Sequence, residues 1–147
     1  MEDWLALGLA AAFSYSISGL MAKVVLDKRY LGLDGPTAAL LVMVGVIVGF
    51  TSFYLILAGP KIPQLTVTNA AAGIAVGFFW ALGSILVYYG LIKGADVSRM
   101  APIYNMNTLL VVLGGIILLK ELPDRTAMAR VMVGAVLIVV GGILVSG

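Results

Sequence analysis

Few side chains in this 147-residue chain are able to do chemistry, and those that are recur at helical spacing. Tyr104, Asn105 and Asn107 form the densest polar cluster inside an apolar stretch. Projected at 3.6 residues per turn, Tyr104, Asn107, Thr108, Val111 and Gly115 share one face, with Asn105 at its margin. Gly73, Gly77, Trp80, Ser84 and Tyr88 align in the same way. So do Gly8, Ala12, Tyr15, Gly19 and Lys23, while Ser14 and Ser18 lie on another side. Polar groups in hydrocarbon turn inward to find partners, so these faces are the candidate lining of a cavity for a small molecule. Histidine and cysteine are both absent, and no acid pair falls within an apolar stretch. Nucleophilic, acid–base and metal chemistry therefore lack their usual groups, and the expectation is no enzyme, no metal site and no cofactor.

The elements that carry these faces follow from where charge is missing. Hydrophobic residues make up 62% of the chain and charged residues 11%, with a mean hydropathy of +1.13. Such a composition cannot cover a water-facing surface, and it excludes disorder and a disulfide scaffold. A net charge of +2 gives no footprint for nucleic acid. Charge-free runs extend over Trp4 to Ala22, Gly35 to Pro60, Ile62 to Ile92, Met100 to Leu119 and Val131 to Gly147. A spanning helix needs about 20 apolar residues. Five membrane helices are therefore expected near 4–26, 37–58, 69–92, 99–119 and 127–146, with Arg130 snorkelling from a helix end. Gly32, Asp34, Gly35 and Pro36 close the first connection, and Gly59, Pro60 and Pro63 open the second. Lys93, Gly94 and Asp96 make the third, and Lys120-Glu121-Leu122-Pro123-Asp124-Arg125 the fourth. The loops are too short for a soluble domain, so residues 1–147 read as one five-helix membrane domain. The acidic start, Met1-Glu2-Asp3, lacks the basic region of a signal peptide, and the first helix reads as retained.

Five spans put the termini on opposite sides. The amino-terminal side then holds Lys61, Lys120, Arg125 and Arg130, and the other side Lys23, Lys28, Arg29, Lys93 and Arg99. Four against five is almost no orienting bias. Two readings stay open: one loop dominates, or copies insert both ways and pair antiparallel.

Each singled-out feature has a structural reading beside the functional one. Gly45 to Gly49 and Gly73 to Gly77 are small-xxx-small patterns that let helices approach closely. Ser14, Ser16 and Ser18 can bond back to their own helix carbonyls. Asn105 and Asn107 either glue helices together or touch a substrate. Glu121 pairs with Lys120 or Arg125, and Lys23 either snorkels to the headgroups or meets an anion or lipid.

Gly94-Ala95-Asp96-Val97-Ser98-Arg99-Met100-Ala101-Pro102, Lys120-Glu121-Leu122, the stretch Gly134 to Gly141, and Lys23 late in helix one together resemble the EamA-type domain of the drug/metabolite transporter superfamily. Larger members of that superfamily have ten spans in two inverted five-helix repeats. The resemblance implies an all-α membrane protein that is half of such a ten-helix fold, completed by a second copy in an antiparallel homodimer. It implies a multi-pass transporter of a small organic metabolite in the cell's inner (plasma) membrane, with the lipid bilayer, a small-molecule substrate and a second chain as partners and no nucleic acid. The candidate substrate-binding residues are Tyr15, Trp80, Ser84, Tyr88, Tyr104, Asn105, Asn107 and Thr108. The four-helix multidrug members of the superfamily couple to protons through a carboxylate buried in helix one. Trp4 to Ala22 contain no acid, which argues against that coupling and leaves an end-of-helix group open. The alternative is a non-transporting membrane subunit that packs against a partner through its glycine faces.

Overall fold

Asp34, Thr66, Asp96 and Asp124 each stand just before a long apolar run, and each begins a helix. In a computed structural model that describes residues 3–121 and 124–146, Asp34 Oδ2 accepts from Thr37 N–H at 3.0 Å, with Pro36 in the first turn. Thr66 Oγ1 accepts from Asn69 N–H at 3.2 Å and Asp124 Oδ2 from Ala127 N–H at 2.7 Å. The Asp96 carbonyl takes Met100 N–H at 2.9 Å. The Asp34, Thr66 and Asp124 side chains supply partners to first-turn donors that have none within the helix, whereas Asp96 makes no side-chain cap bond.

The resulting helices are α1 (Asp3–Leu26), α2 (Gly35–Ala58), α3 (Val67–Ile92), α4 (Val97–Asn105), α5 (Asn107–Gly114) and α6 (Arg125–Ser146). A π-helical turn, Gly115–Leu119, follows α5 directly. Together α4, α5 and the π turn form the fourth of five segments long and apolar enough to cross a membrane; the others are α1, α2, α3 and α6. The described residues contain no strand, and the chain is an all-α membrane protein. The observed starts at 35, 67, 97 and 125 fall two residues before those read from charge gaps. Counting apolar residues leaves out a polar first turn, whereas the cap recruits it. Met1, Glu2, Gly147 and the Leu122-Pro123 pair of the expected acidic turn lie outside the described residues.

By compactness the chain divides between Gly94 and Ala95 into two units. In the first, the carboxyl end of α1, the amino end of α2 and the carboxyl end of α3 gather. Ala22, Leu26, Ala38 and Leu91 are buried there, and a Cβ on Gly35 would lie 2.6 Å from Ile92 Cδ1. Gly32, at φ +61°, lets the chain turn back between α1 and α2. Away from this end the helices present large apolar side chains outward, Phe13, Phe50 and Ile74 among them. The small-xxx-small glycines Gly45, Gly49, Gly73 and Gly77 have no described atom within 4 Å of an added Cβ, so within this unit no helix approaches closely there.

In the second unit α6 packs against α4 and α5. Met128, Met132, Ala135, Val139 and Gly142 are its least exposed positions over this length, alternating four and three residues apart. That is the heptad-like seam of helices crossing at a shallow angle. The tightest point is Gly142, where an added Cβ would meet Met106 Cγ at 2.9 Å and Pro102 O at 3.1 Å. The fourth span ends with Lys120 in the left-handed region at φ 57°, its N–H donating to Gly115 O. For a residue with a Cβ that conformation costs about 1–2 kcal/mol.

Gly142→Ala should lower thermal stability by about 1–3 kcal/mol, the ordinary cost of overpacking, because the backbone carbonyl of Pro102 cannot move aside as a side chain can. Gly141→Ala, with open space at its Cβ, should cost nothing. Melting of the two purified variants in detergent checks the contrast, and equal midpoints would contradict it.

Candidate functional site

The fourth span is the only irregular one among the described residues, and its polar side chains sit at the irregularity. Pro102 within α4 has no N–H to give, and its ring disfavours the regular helical contact with the preceding turn. At Met106 the register slips: its N–H donates to Ile103 O at 3.1 Å, and its carbonyl accepts Leu109 N–H at 3.1 Å, both one residue short of the α-helical spacing. The span runs Val97–Leu119, so the slip falls within about two residues, or 3 Å, of its middle. Asn105 and Asn107 flank the slip and both are exposed. Tyr104 is 36% exposed, and Thr108, one turn on, is half-buried. Pro102 and Met106 meet Gly142 of α6, which leaves the two amides and the phenol on open parts of the break. Neutral donors and acceptors around a discontinuous mid-span helix can hold a polar, uncharged molecule by hydrogen bonds and an aromatic face.

In the first unit the candidates separate along the helices. Tyr88 and Ser84 are half-buried, about one and two turns before the buried Leu91. Ser84 Oγ donates to Trp80 O at 3.0 Å, so its donor is already engaged within α3. Ser14 and Ser16 bond back in the same way, to Ala10 O at 3.0 Å and Ala12 O at 2.8 Å. Trp80 is 48% exposed and Tyr15 67%, both beyond the packed end. Lys23 sits at that packed end, its Nζ 3.2 Å from Asp27 Oδ2. The register slip at Met106 and the π turn after it were not foreseen from the sequence, although Pro102 signals that the span is not regular. Among the described residues no group of three His, Cys, Asp or Glu is placed to hold a metal ion.

The model of the family described as sugar transport protein matches residues 10–146. Two Listeria proteins are similar over about half of this chain. "Putative sugar uptake protein lin0215" of Listeria innocua is 34% identical over 77 residues, 49% of this chain and 25% of its own length. "Putative sugar uptake protein lmo0176" of Listeria monocytogenes is 35% identical over 74 residues, 47% of this chain and 24% of its own. The chain thus covers about a quarter of these relatives, and since 77 residues are 25% of the first, that protein is about twice as long as this one. "Uncharacterized protein MJ1333.1" of Methanocaldococcus jannaschii is 30% identical over 146 residues, 99% of this chain and 98% of its own length. No solved structure matches.

Lys23 and Asp27 keep only 12% of their side-chain surface exposed, and Arg29 closes the cluster from outside. Arg29 Nη2 and Nε donate to Asp27 Oδ2 at 2.7 and 3.1 Å, and Arg29 N–H donates to Oδ1 at 2.9 Å. These bonds, the guanidinium first, hold the Asp27 carboxyl well below the usual carboxylate range. A depressed carboxyl stabilises the fold fully above its unfolded value of about 3.9 and loses that contribution as pH falls through the folded value. Asp27→Asn should therefore lower the melting temperature by a constant margin from neutral pH down to about 4, with the margin closing in stronger acid. Melting of both proteins across that range is the measurement. A margin that stays open in strong acid would assign the effect to packing instead.

Proposed function

The chain belongs to the sugar transport protein family, and on that premise we propose that it moves a small organic metabolite across the membrane by alternating access, with a sugar as the first candidate. The observation that carries the reading is the break at Met106, near the middle of the fourth span, with Tyr104, Asn105 and Asn107 open around it. Transporters bind their substrates near the bilayer midplane at discontinuous helices, and irregular backbone at that depth is tolerated only where it is buried in protein or lines a water-filled cavity. Amides and a phenol suit a polyhydroxyl substrate, which offers donors and acceptors but no charge. The names of the two Listeria relatives point to the same class of substrate.

The drug/metabolite transporter likeness, with five helices as half of a ten-helix inverted repeat, belongs to this proposal. It receives support from relatives of two sizes: one Listeria protein about twice this length, and an archaeal protein matched over 98% of its length. A second copy, inserted the other way, is the partner we assign, in the plasma membrane. The near-balance of basic residues between the two sides favours that arrangement. Tyr15, Trp80, Ser84, Tyr88 and Thr108 are proposed as further substrate contacts. Ser84 is the weakest of them, because its hydroxyl is engaged within α3.

Uptake of radiolabelled D-glucose and D-ribose into proteoliposomes tests the reading. Asn107→Ala and Tyr104→Ala should each lower initial uptake about tenfold, the scale of losing a hydrogen bond to a bound polar group, with membrane insertion unchanged. Wild-type rates in both would remove the break from the site. A protein that moves neither these sugars nor other metabolites would favour a non-transporting subunit. For the pairing, single cysteines at Gly59 and Gly94 should each be labelled from both sides of the membrane; labelling of each from one side alone would rule out dual insertion.

A further inference from the structure

The second half of α2 has no partner within the chain. Its first half packs through a helical face of buried and half-buried residues, Gly35, Ala38, Ala39, Val42 and Val46. The same face continues as Gly49, Phe50 and Phe53. From Ile47 to Ala58, however, every residue except Tyr54 is exposed. Val46, Gly49, Phe50 and Phe53 border an open apolar groove of about 350 Å³, and Gly45 and Gly49 have no described atom within 4 Å of an added Cβ. In a bilayer such faces associate by close packing at small residues, because lipid tails supply no hydrophobic drive between helices.

Depth selects the occupant. Two oppositely inserted copies are related by a two-fold axis in the membrane plane, and their contacts are reciprocal: residue i meets j, and j meets i. The contact of a helix with its own inverted copy is centred on that axis, and so on the middle of the bilayer. The middle of α2, Gly35–Ala58, falls between Val46 and Ile47. Gly45 and Gly49 are centred on Ile47, within about 1.5 Å of that level. Inversion therefore sets Gly45 of each copy level with Gly49 of the other. The glycine pair of α3 does not meet this condition. Gly73 and Gly77 are centred on Ala75, about 7 Å from the middle of Val67–Ile92, so inversion would part the two pairs.

Charge complementarity points to the same occupant. Asp34 caps the start of α2, and Lys61 follows its end on the other side of the membrane. The Tyr54 hydroxyl donates to Lys61 O, and Lys61 N–H donates to Gly59 O at 2.8 Å, which holds Lys61 beside the helix end. Neither Asp34 nor Lys61 makes an ion pair among the described residues. Inversion about Ile47 sets Asp34 level with Pro60, so Asp34 of each copy stands one residue from the level of Lys61 of the other. At a crossing of about 20°, helix ends about 20 Å from the contact diverge sideways by about 7 Å, a gap that a lysine side chain spans. The opposed helix dipoles favour this pairing as well. A parallel pair would instead set Asp34 beside Asp34 and Lys61 beside Lys61.

We propose that the groove and the Gly45–Gly49 face of α2 are covered by α2 of a second, oppositely inserted copy of this chain, with an Asp34–Lys61 ion pair closing each end. The proposal rests on the antiparallel pairing above and deepens it, by naming the face through which the copies meet.

Energy transfer between two fluorescently tagged populations in liposomes, followed as lipid dilutes the protein, reads the pairing. Gly49→Leu, whose side chain meets no atom of its own chain, should weaken association about tenfold with helicity unchanged. Gly77→Leu, equally open, should stay within about twofold of wild type. Lys61→Glu should weaken association about fivefold, and adding Asp34→Asn, which keeps a capping side chain, should restore most of it. Copies carrying Gly45→Cys mixed with copies carrying Gly49→Cys should form a disulfide faster than either alone, since level positions bring their Cα atoms within about 7 Å. Ile47→Cys, on the opposite face of α2, should form none. Paired copies that label from both sides at Gly59 and Gly94, yet ignore Gly49→Leu and form no mixed disulfide, would overturn this face and leave antiparallel pairing standing. Insertion in one direction only would overturn both. A wild-type protein that stays monomeric would leave the groove to lipid and overturn the proposal.

Discussion

The rest of the structure depends on one constraint: in hydrocarbon, every peptide N–H and C=O must find its partner inside the chain. A regular helix meets that requirement along its whole length, and α1, α2, α3 and α6 are regular over their described residues. The constraint concentrates cost at helix ends, and the chain answers with Asp34, Thr66 and Asp124 side chains at the starts. It also makes any interior irregularity informative, since water is not there to repair it. Both such irregularities, the slip at Met106 and the π turn from Gly115, fall in the fourth span. The same span carries the chain's densest group of polar side chains. Irregularity of the ladder and local polarity thus coincide in one span.

The positions of the spans were legible because charge is so costly in the bilayer that sixteen charged residues suffice to mark the boundaries. The starts were displaced by two residues because capping obeys hydrogen bonding, which a count of apolar residues does not register. Glycine was harder. Gly45, Gly49, Gly73 and Gly77 carry the sequence pattern of close helix approach, yet each faces open space in the chain. The close approach occurs at Gly142, one of two adjacent glycines on α6. Only the phase of that helix against α4 and α5 distinguishes it from Gly141, and phase is a tertiary property that no local pattern announces.

The same limit applies to the functional residues. Projection onto helical faces placed Tyr104, Asn107 and Thr108 together, but a straight projection assumes an unbroken helix, and the slip at Met106 changes the angle between residues on its two sides. Asn105, marginal in the projection, stands beside the break as openly as Asn107. Ser84 shows the opposite error. Its position on the polar face was readable, whereas the engagement of its hydroxyl with Trp80 O depends on rotamer. Glu121 read as a surface acid with basic neighbours, because nothing in Gly-Gly-Ile-Ile-Leu-Leu signals a π turn that would send the carboxylate back over Gly115.

The depths of these two features differ in a way that bears on pairing. Inversion of a chain across the bilayer exchanges its two faces and leaves only the midplane in place. Met106 lies within about 3 Å of the middle of its span, so two oppositely inserted copies would hold their breaks at nearly the same depth, within about 6 Å of each other. A single central site between them is then geometrically consistent. Glu121 lies near one end of the span, so inversion would send the two carboxylates to opposite faces. An antiparallel pair would hold its two breaks at the centre and one Glu121 carboxylate toward each face. A parallel pair would bring both carboxylates to one face and leave the other with none. The mid-span break is compatible with either pairing, and the depth of the end-of-span carboxylate is what distinguishes the two geometries, because inversion changes it.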